Sequence, residues 1–319
     1  MGRNEFEFIK NIKDRFGLGR IGDDCAVLPR DESTDLVVTT DMLVEGIDFR
    51  LDWTTPEFLG HKALAVSLSD IAAMGGMPEW AMLSIGVPPG LWEDDFLDRF
   101  YVGWHDLAAE HGVELVGGDV SRVPDQFVID SIVGGTVPKD KAVRRSGAKA
   151  GDDIYVTGPL GGAAAGLQFL KDGVRIGSAR DEATRSAIFR QLRPVPLIDA
   201  GVFLRRNSIA SSMIDISDGL SSDLNHLIAA SGVGALILAG SIPIADGHPN
   251  SQTRDGALEN ALHGGEDLEL LFTADPKKNL AERSSNFHRI GTITANTGII
   301  ELTTASETRV LAPKGYRHF

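Results

Sequence analysis

Cysteine is all but absent. The single Cys25 in 319 residues excludes an intrachain disulfide framework and any all-thiolate zinc site. Positive charge is scarce as well: 31 Lys and Arg against 45 Asp and Glu leave a net charge of -14. With no cationic surplus to neutralise phosphates, a general nucleic-acid binder is excluded, whereas a site that gathers metal cations is compatible. No apolar run approaches the length that spans a bilayer. The nearest, "VGALILAGSIPIA" at Val233–Ala245, reads as a buried strand. The opening "MGRNEFEFIKNIKDRFG" is charged and lacks the apolar core of a secretory signal. The expectation is a cytoplasmic protein with neither membrane nor nucleic acid as partner.

Several catalytic signatures are missing too. There is no G-x-x-x-x-G-K-S/T phosphate loop, no H-R-D or D-F-G pair, no H-E-x-x-H and no G-x-S-x-G. His61, His105, His111 and His226 lie in or beside helical stretches without metal-ligand spacing and read as structural. Cys25 follows Asp23 and Asp24, where negative charge raises a thiol pKa, so it reads as a small packing residue rather than a nucleophile. "YVTGPLGGAAAGLQFL" has the order strand, glycines, helix. It misses the strict G-x-G-x-x-G spacing, so a close-packed turn is the better reading than a dinucleotide fingerprint.

What is present describes a soluble globular chain, 42% hydrophobic and 24% charged, long enough for one large or two medium domains. Thirty-six scattered glycines imply many tight turns. Short apolar runs alternate with helical stretches, an α/β (α+β) pattern. Strands are expected at Leu36–Thr40, Trp80–Val87, Val113–Gly117, Gln126–Val137, Asp153–Gly158 and Leu268–Ala274. The clearest helix is capped by Thr55, begins with Pro56 and stops at Gly75-Gly76. A second is expected from Glu93 to His111, and a third after Asp218 as N-cap. The basic, small-residue stretch "PKDKAVRRSGAKA" (138–150) suggests two domains, 1–140 and 141–319.

The informative residues are acids set where cores belong. In "SMIDISDGL", Asp215 stands between two isoleucines and Asp218 follows three residues later. An ionised carboxylate in an apolar setting costs several kcal/mol unless a donor or a cation compensates it. The pattern recurs: Asp23 and Asp24 in "GRIGDDCAVL", Asp41 after Thr39 and Thr40 on a β-branched strand, and Asp119 after two glycines that let a ligand approach the backbone. Asp70 has Val66, Ser67, Ala73 and Met74 as helical neighbours, a small and apolar face. Any one of these acids reads as a cap or turn residue. Together, oxygen ligands without His or Cys suit magnesium, and several magnesium ions usually accompany nucleotide phosphates. A magnesium-dependent phosphoryl-transfer site is the leading reading. Arg144, Arg145 and Lys149 are candidate cations for the phosphates, or a solvated basic loop.

In order along the chain come "GDDCAV", "TTDMLVEG", "KALAVSLSDIAAMGG", "VGGDVSR", "RRSGAKAGD", "IDISDGLSSDL", "HGGEDLELLF" and the terminal "KGYRHF". Together they resemble the thiamine-monophosphate kinase family of the aminoimidazole-ribonucleotide-synthetase-like superfamily, over essentially the whole chain. The resemblance implies two α/β domains, with N-terminal sheets joining across a homodimer to form a barrel. It implies transfer of the ATP γ-phosphoryl group to thiamine monophosphate, giving thiamine diphosphate and ADP, directly and without a phosphoenzyme. By the same resemblance, Asp24, Thr39, Thr40, Asp41, Asp70, Asp119, Asp215 and Asp218 would hold several magnesium ions. Gly118, Asp119, Arg145 and Ser217 would contact ATP, and Glu266 and Tyr316 the thiamine end. Asp48 departs from the pattern, because some relatives carry a substrate-contacting His there; an acid at this point could still face the cationic thiazolium. No catalytic residue beyond the metal cluster is implied, since a phosphate monoester needs no general base. The alternatives are another ATP-dependent enzyme of the superfamily, or a non-catalytic magnesium–nucleotide sensor.

Overall fold

The computed structural model describes residues 5–249, 253–278, 280, 286–316 and 318. Its first half runs α1 (Glu5–Phe16), β1 (Ala26–Pro29), β2 (Thr34–Val44), α2 (Pro56–Ala73), β3 (Met77–Val87), α3 (Pro89–Trp92), α4 (Phe96–His111), β4 (Glu114–Arg122) and β5 (Val128–Pro138). The second half runs β6 (Asp153–Val156), α5 (Gly162–Lys171), α6 (Glu182–Leu192), α7 (Ile198–Arg206), β7 (Ala210–Asp215), α8 (Leu220–Ser231), β8 (Gly234–Leu238), α9 (Arg254–His263), β9 (Leu270–Ala274), β10 (His288–Thr294), β11 (Ile300–Thr303) and β12 (Thr308–Val310).

Each half builds one sheet. The first has strand order β1-β2-β5-β3-β4, and the second β12-β11-β8-β10-β6-β9-β7. In β2 the two-residue period separates Val37, Thr39 and Leu43, which are buried, from Thr40 and Met42, which are exposed. The buried face packs on α2. That helix buries residues around its whole circumference, from Leu59 and Lys62 to Ser69 and Ala73, because sheet, helix and second half all press on it. Thr55 caps it by accepting from Phe58 N–H at 3.3 Å, and Pro56 begins it, as the sequence predicts. Gly60 and Gly103 let α2 and α4 cross closely: a Cβ on either would overlap backbone of the other helix. The apolar core around α2 also takes in Met213, Leu270 and Phe272 from the second half, so the halves share packing.

Some expectations are corrected. Gly118 and Asp119 lie inside β4, which runs on to Arg122 rather than ending before them, because β3 continues to pair with it up to Val87↔Arg122. Asp41 likewise lies within β2, leaving Asp215 alone of these at a strand end. The run Val233–Ala245 is a strand only at Gly234–Leu238, then turns at Ala239–Ser241. The helix expected from Glu93 starts at Phe96. Asp218 is not the N-cap of α8; Gly219 is, at φ 113, a conformation that favours glycine. The cap comes from inside the helix, where the Asp223 carboxylate accepts from Asp218 N–H at 3.2 Å and Gly219 N–H at 2.9 Å.

Candidate active site: an acid cluster opening on a cavity

Three segments converge on α2. Asp24 precedes β1, Asp41 lies on β2, Asp70 on α2 and Asp215 at the end of β7. The "SLSD" stretch of α2 supplies the hydroxyls that orient the others. Ser67 Oγ donates to Asp41 at 2.7 Å, and Ser69 Oγ donates to Asp215 at 2.6 Å. Asp70 itself accepts from the Thr39 hydroxyl. Carboxylate oxygens of Asp24, Asp70 and Asp215 come within 4.8 Å of one another. Arg145 closes one side, with Nη2 at 2.5 Å and Nε at 3.1 Å from Asp24 Oδ1. Asp24 Oδ2 is buried and has no hydrogen-bond partner.

The electrostatics follow from that crowding. Burial, then the charges of Asp41, Asp215 and Asp24, push the Asp70 carboxyl well above the usual carboxylate range. Burial first, and Asp24 next, raise Asp215 to about 7 against the pull of Ser69 and Arg145. Asp24 and Asp41 are raised as well, chiefly by burial. Burial alone would lower the Arg145 pKa, but Asp24, Asp215 and Asp70 together raise it. The buried Cys25 thiol is driven well above its ordinary value by burial and then by Asp70 and Asp24, consistent with a packing role.

The cluster opens on a cavity of about 740 Å³ lined by Asp41, Asp70, Asp215, Ser217 and Asp218 together with Asp48, Glu266 and Tyr316. Its apolar wall includes Ile47, Phe49, Trp53, Leu59 and Leu192. Asp48 Oδ2 accepts from Val44 N–H at 2.8 Å, and burial raises its pKa. Two expected ligands stand apart. Thr40 projects from the opposite face of β2 to Thr39, where its hydroxyl donates to Asp130 Oδ1 at 2.8 Å. Asp119 is exposed on β4, beside Ser84 in the ladder, and accepts from Ser121 Oγ at 3.1 Å.

Arg144 and Arg145 are ion-paired, to Asp23 and Asp24, rather than merely solvated; Lys149 is exposed. The glycine-rich turn before α5 is a packed turn. There Asp267 accepts from Gly161 N–H at 2.5 Å and Ala163 N–H at 3.0 Å, occupying the place a phosphate would need. Among the residues the sequence reading missed are Ser67, Ser69, Asp130, Lys62 and Gln191. For Lys62 a signal existed: it stands eight residues before Asp70, and only Ser67 and Ser69 interrupt the small apolar residues between them.

The model of AIR synthase related protein, N-terminal domain, matches residues 22–137. Thiamine-monophosphate kinase of Escherichia coli (strain K12) is 40% identical over 334 residues, covering 100% of this chain and 99% of that protein. That of Bacillus subtilis (strain 168) is 34% identical, covering 99% of each. The chain belongs to the thiamine-monophosphate kinase family. A solved structure of AaThiL complexed with AMPPCP and TMP matches with a TM-score of 0.86 and 32% identity, covering 100% of this chain and 99% of that one. The thiamine-monophosphate kinase of Stenotrophomonas maltophilia K279a matches at 0.77 and 36%, covering 95% and 97%. A hydrogenase maturation protein, HypE, at 19% identity and a TM-score of 0.71, shares the fold. Of the residues that the thiamine-monophosphate kinase motifs select, Asp41, Asp48, Asp70, Asp215, Ser217, Asp218, Glu266 and Tyr316 line one cavity.

Proposed function

We propose that the chain transfers the γ-phosphoryl group of ATP to thiamine monophosphate, giving thiamine diphosphate and ADP. The observation that carries this reading is the oxygen-only cluster of Asp24, Asp70 and Asp215, opening on a cavity whose other wall is apolar and aromatic. Its donor set fits magnesium: carboxylates oriented by hydroxyls, and a buried Asp24 Oδ2 that no protein group satisfies. Asp24, Asp41, Asp70 and Asp215 are the residues that would hold it, with Thr39 and Asp218 as further ligands; Thr40, on the opposite face of β2, and Asp119, exposed on β4, stand outside this group. Magnesium there supplies positive charge between two anionic phosphates that otherwise repel.

The chain's own groups do the rest. Ser67, Ser69 and Thr39 fix the carboxylates, so little reorganisation accompanies transfer. Arg145, with Gly118, Asp119 and Ser217, contacts the nucleotide. Glu266, Tyr316 and Asp48 hold the thiamine end. The acceptor oxygen belongs to a phosphate monoester whose second pKa of about 6 leaves it ionised at neutral pH, so no general base is required. Transfer is direct, without a phosphoenzyme.

Residues 1–140 and 141–319 act as two domains, and the enzyme is a homodimer. The second point is supported by β4, an edge strand exposed along its length with Leu115, Val116 and Val120 bare. We place it in the cytoplasm; among the described residues no helix is long and apolar enough to cross a membrane.

Phosphorus NMR of the protein with ATP, magnesium and thiamine monophosphate tests the reading. Thiamine diphosphate and ADP should form only in the complete mixture. ATP binding without diphosphate would instead point to a relative with another acceptor, or to a sensor.

A further inference from the structure

On α2, Lys62, Val66 and Asp70 all line the cavity at successive helical turns. Eight residues of helix separate Lys62 from the acid cluster by about 12 Å, a distance suited to a phosphate tethered to linked rings. Lys62 is 3% exposed, among Leu59, Ala63 and Leu64. An ammonium there is stable only when paired. Its Nζ lies 2.6 Å from Glu266 Oε1 and donates to the Gln191 carbonyl at 3.2 Å. The Gln191 side chain donates through Nε2 to the other oxygen of Glu266. Because an ionised carboxylate only accepts, this contact fixes which end of the amide faces it. The other end, Gln191 Oε1, is buried and has no hydrogen-bond partner, in a residue 4% exposed that lines the cavity. Glu266 itself is held at φ 68, its N–H donating to the Ser217 carbonyl at 2.8 Å.

A buried acceptor with no protein partner, in a side chain that lines the cavity, calls for an N–H donor from a ligand. Thiamine monophosphate carries one, the exocyclic amino group of its pyrimidine. We propose that Gln191 is a specificity-determining residue for the acceptor, its Oε1 accepting a hydrogen bond from that amino group, and that Lys62 positions Glu266 and Gln191 to receive it. The Lys62–Glu266 pair carries no net charge, so selection at Gln191 is by hydrogen bonding. This rests on the kinase reading above.

The test uses Gln191→Met and Lys62→Met in the full-length enzyme, with thiamine monophosphate and an analogue whose amino group is replaced by a carbonyl oxygen. Gln191→Met should raise the acceptor KM and narrow the preference for the amino acceptor, each by about tenfold, with the ATP KM changed less than about twofold. Lys62→Met should move the same quantities, and its effect should largely vanish in a Glu266→Gln background. An unchanged preference for the amino acceptor in Gln191→Met, or an equal rise in the ATP KM, would overturn the assignment. Should Lys62→Met fail to fold, Gln191→Met decides alone. A wild-type enzyme that turns over no thiamine monophosphate would sink the kinase reading instead. Calorimetry with free thiamine on wild type and Gln191→Met would then decide the subsite, equal affinities overturning it.

Discussion

Two groups of buried acids, one around α5 and one around α2, are solved differently in this molecule. Around α5, Asp267 is satisfied by two backbone N–H groups, while Glu269 accepts from Thr157 Oγ1 at 2.7 Å and lies 3.7 Å from Arg190. Around α2, Asp24, Asp41, Asp70 and Asp215 repel one another, the Arg145 guanidinium pairs only with Asp24 among the described residues, and Asp24 Oδ2 is left with nothing. Burial raises pKa values in both, Asp267 to about 6 and Asp215 to about 7. Burial and a raised pKa therefore do not distinguish a structural acid from a functional one. The count of donors does: a carboxylate whose partners are all protein groups holds the fold together, and one whose partners run short awaits a cation.

The sharpest way to break this comparison is to neutralise one acid in each group. Asp70→Asn should cut turnover by about 10³-fold or more while leaving the metal-free melting temperature unchanged or higher, because a repulsion is removed. Normal turnover in that variant would refute the cluster's role. Asp267→Ala should do the reverse, lowering stability by about 2 kcal/mol as the Gly161 and Ala163 N–H groups lose their acceptor, read as a shift in urea midpoint.

The smallest effect is on pH dependence. Asp215 and its neighbours have folded pKa values above the unfolded one, so their contribution to stability is present at low pH and lost as pH rises through about 7. The metal-free Tm should fall between roughly pH 5 and 8, and added magnesium should remove most of that fall. A Tm that rises over this window, or ignores magnesium, would contradict the cluster as a cation site.

Much of this could be read along the chain. Thr55-Pro56 and Gly75-Gly76 bound α2 because capping and turn chemistry are local. Asp70 and Asp215 stood out because a carboxylate amid small apolar residues is anomalous at any distance. Other features were hidden for physical reasons. Strand alternation places Thr39 and Thr40 on opposite faces, which the motif "TTD" does not reveal by itself. The cap of α8 comes from Asp223, five residues beyond the expected Asp218, because a glycine turn intervenes.

From composition and local pattern the sequence determined the mixed α/β class, the main helix and the oxygen-only donor set, while the ordered motifs carried the resemblance to the family. Tertiary structure alone decided which acids meet: Ser69 reaches Asp215 across 146 residues, and Arg145 reaches Asp24 across 121. It alone also set Lys62, Gln191 and Glu266 around one wall of the cavity. Such contacts are invisible in sequence because hydrogen bonding and desolvation depend on distances of a few ångströms. Only the packing of α2 between two sheets makes those distances short.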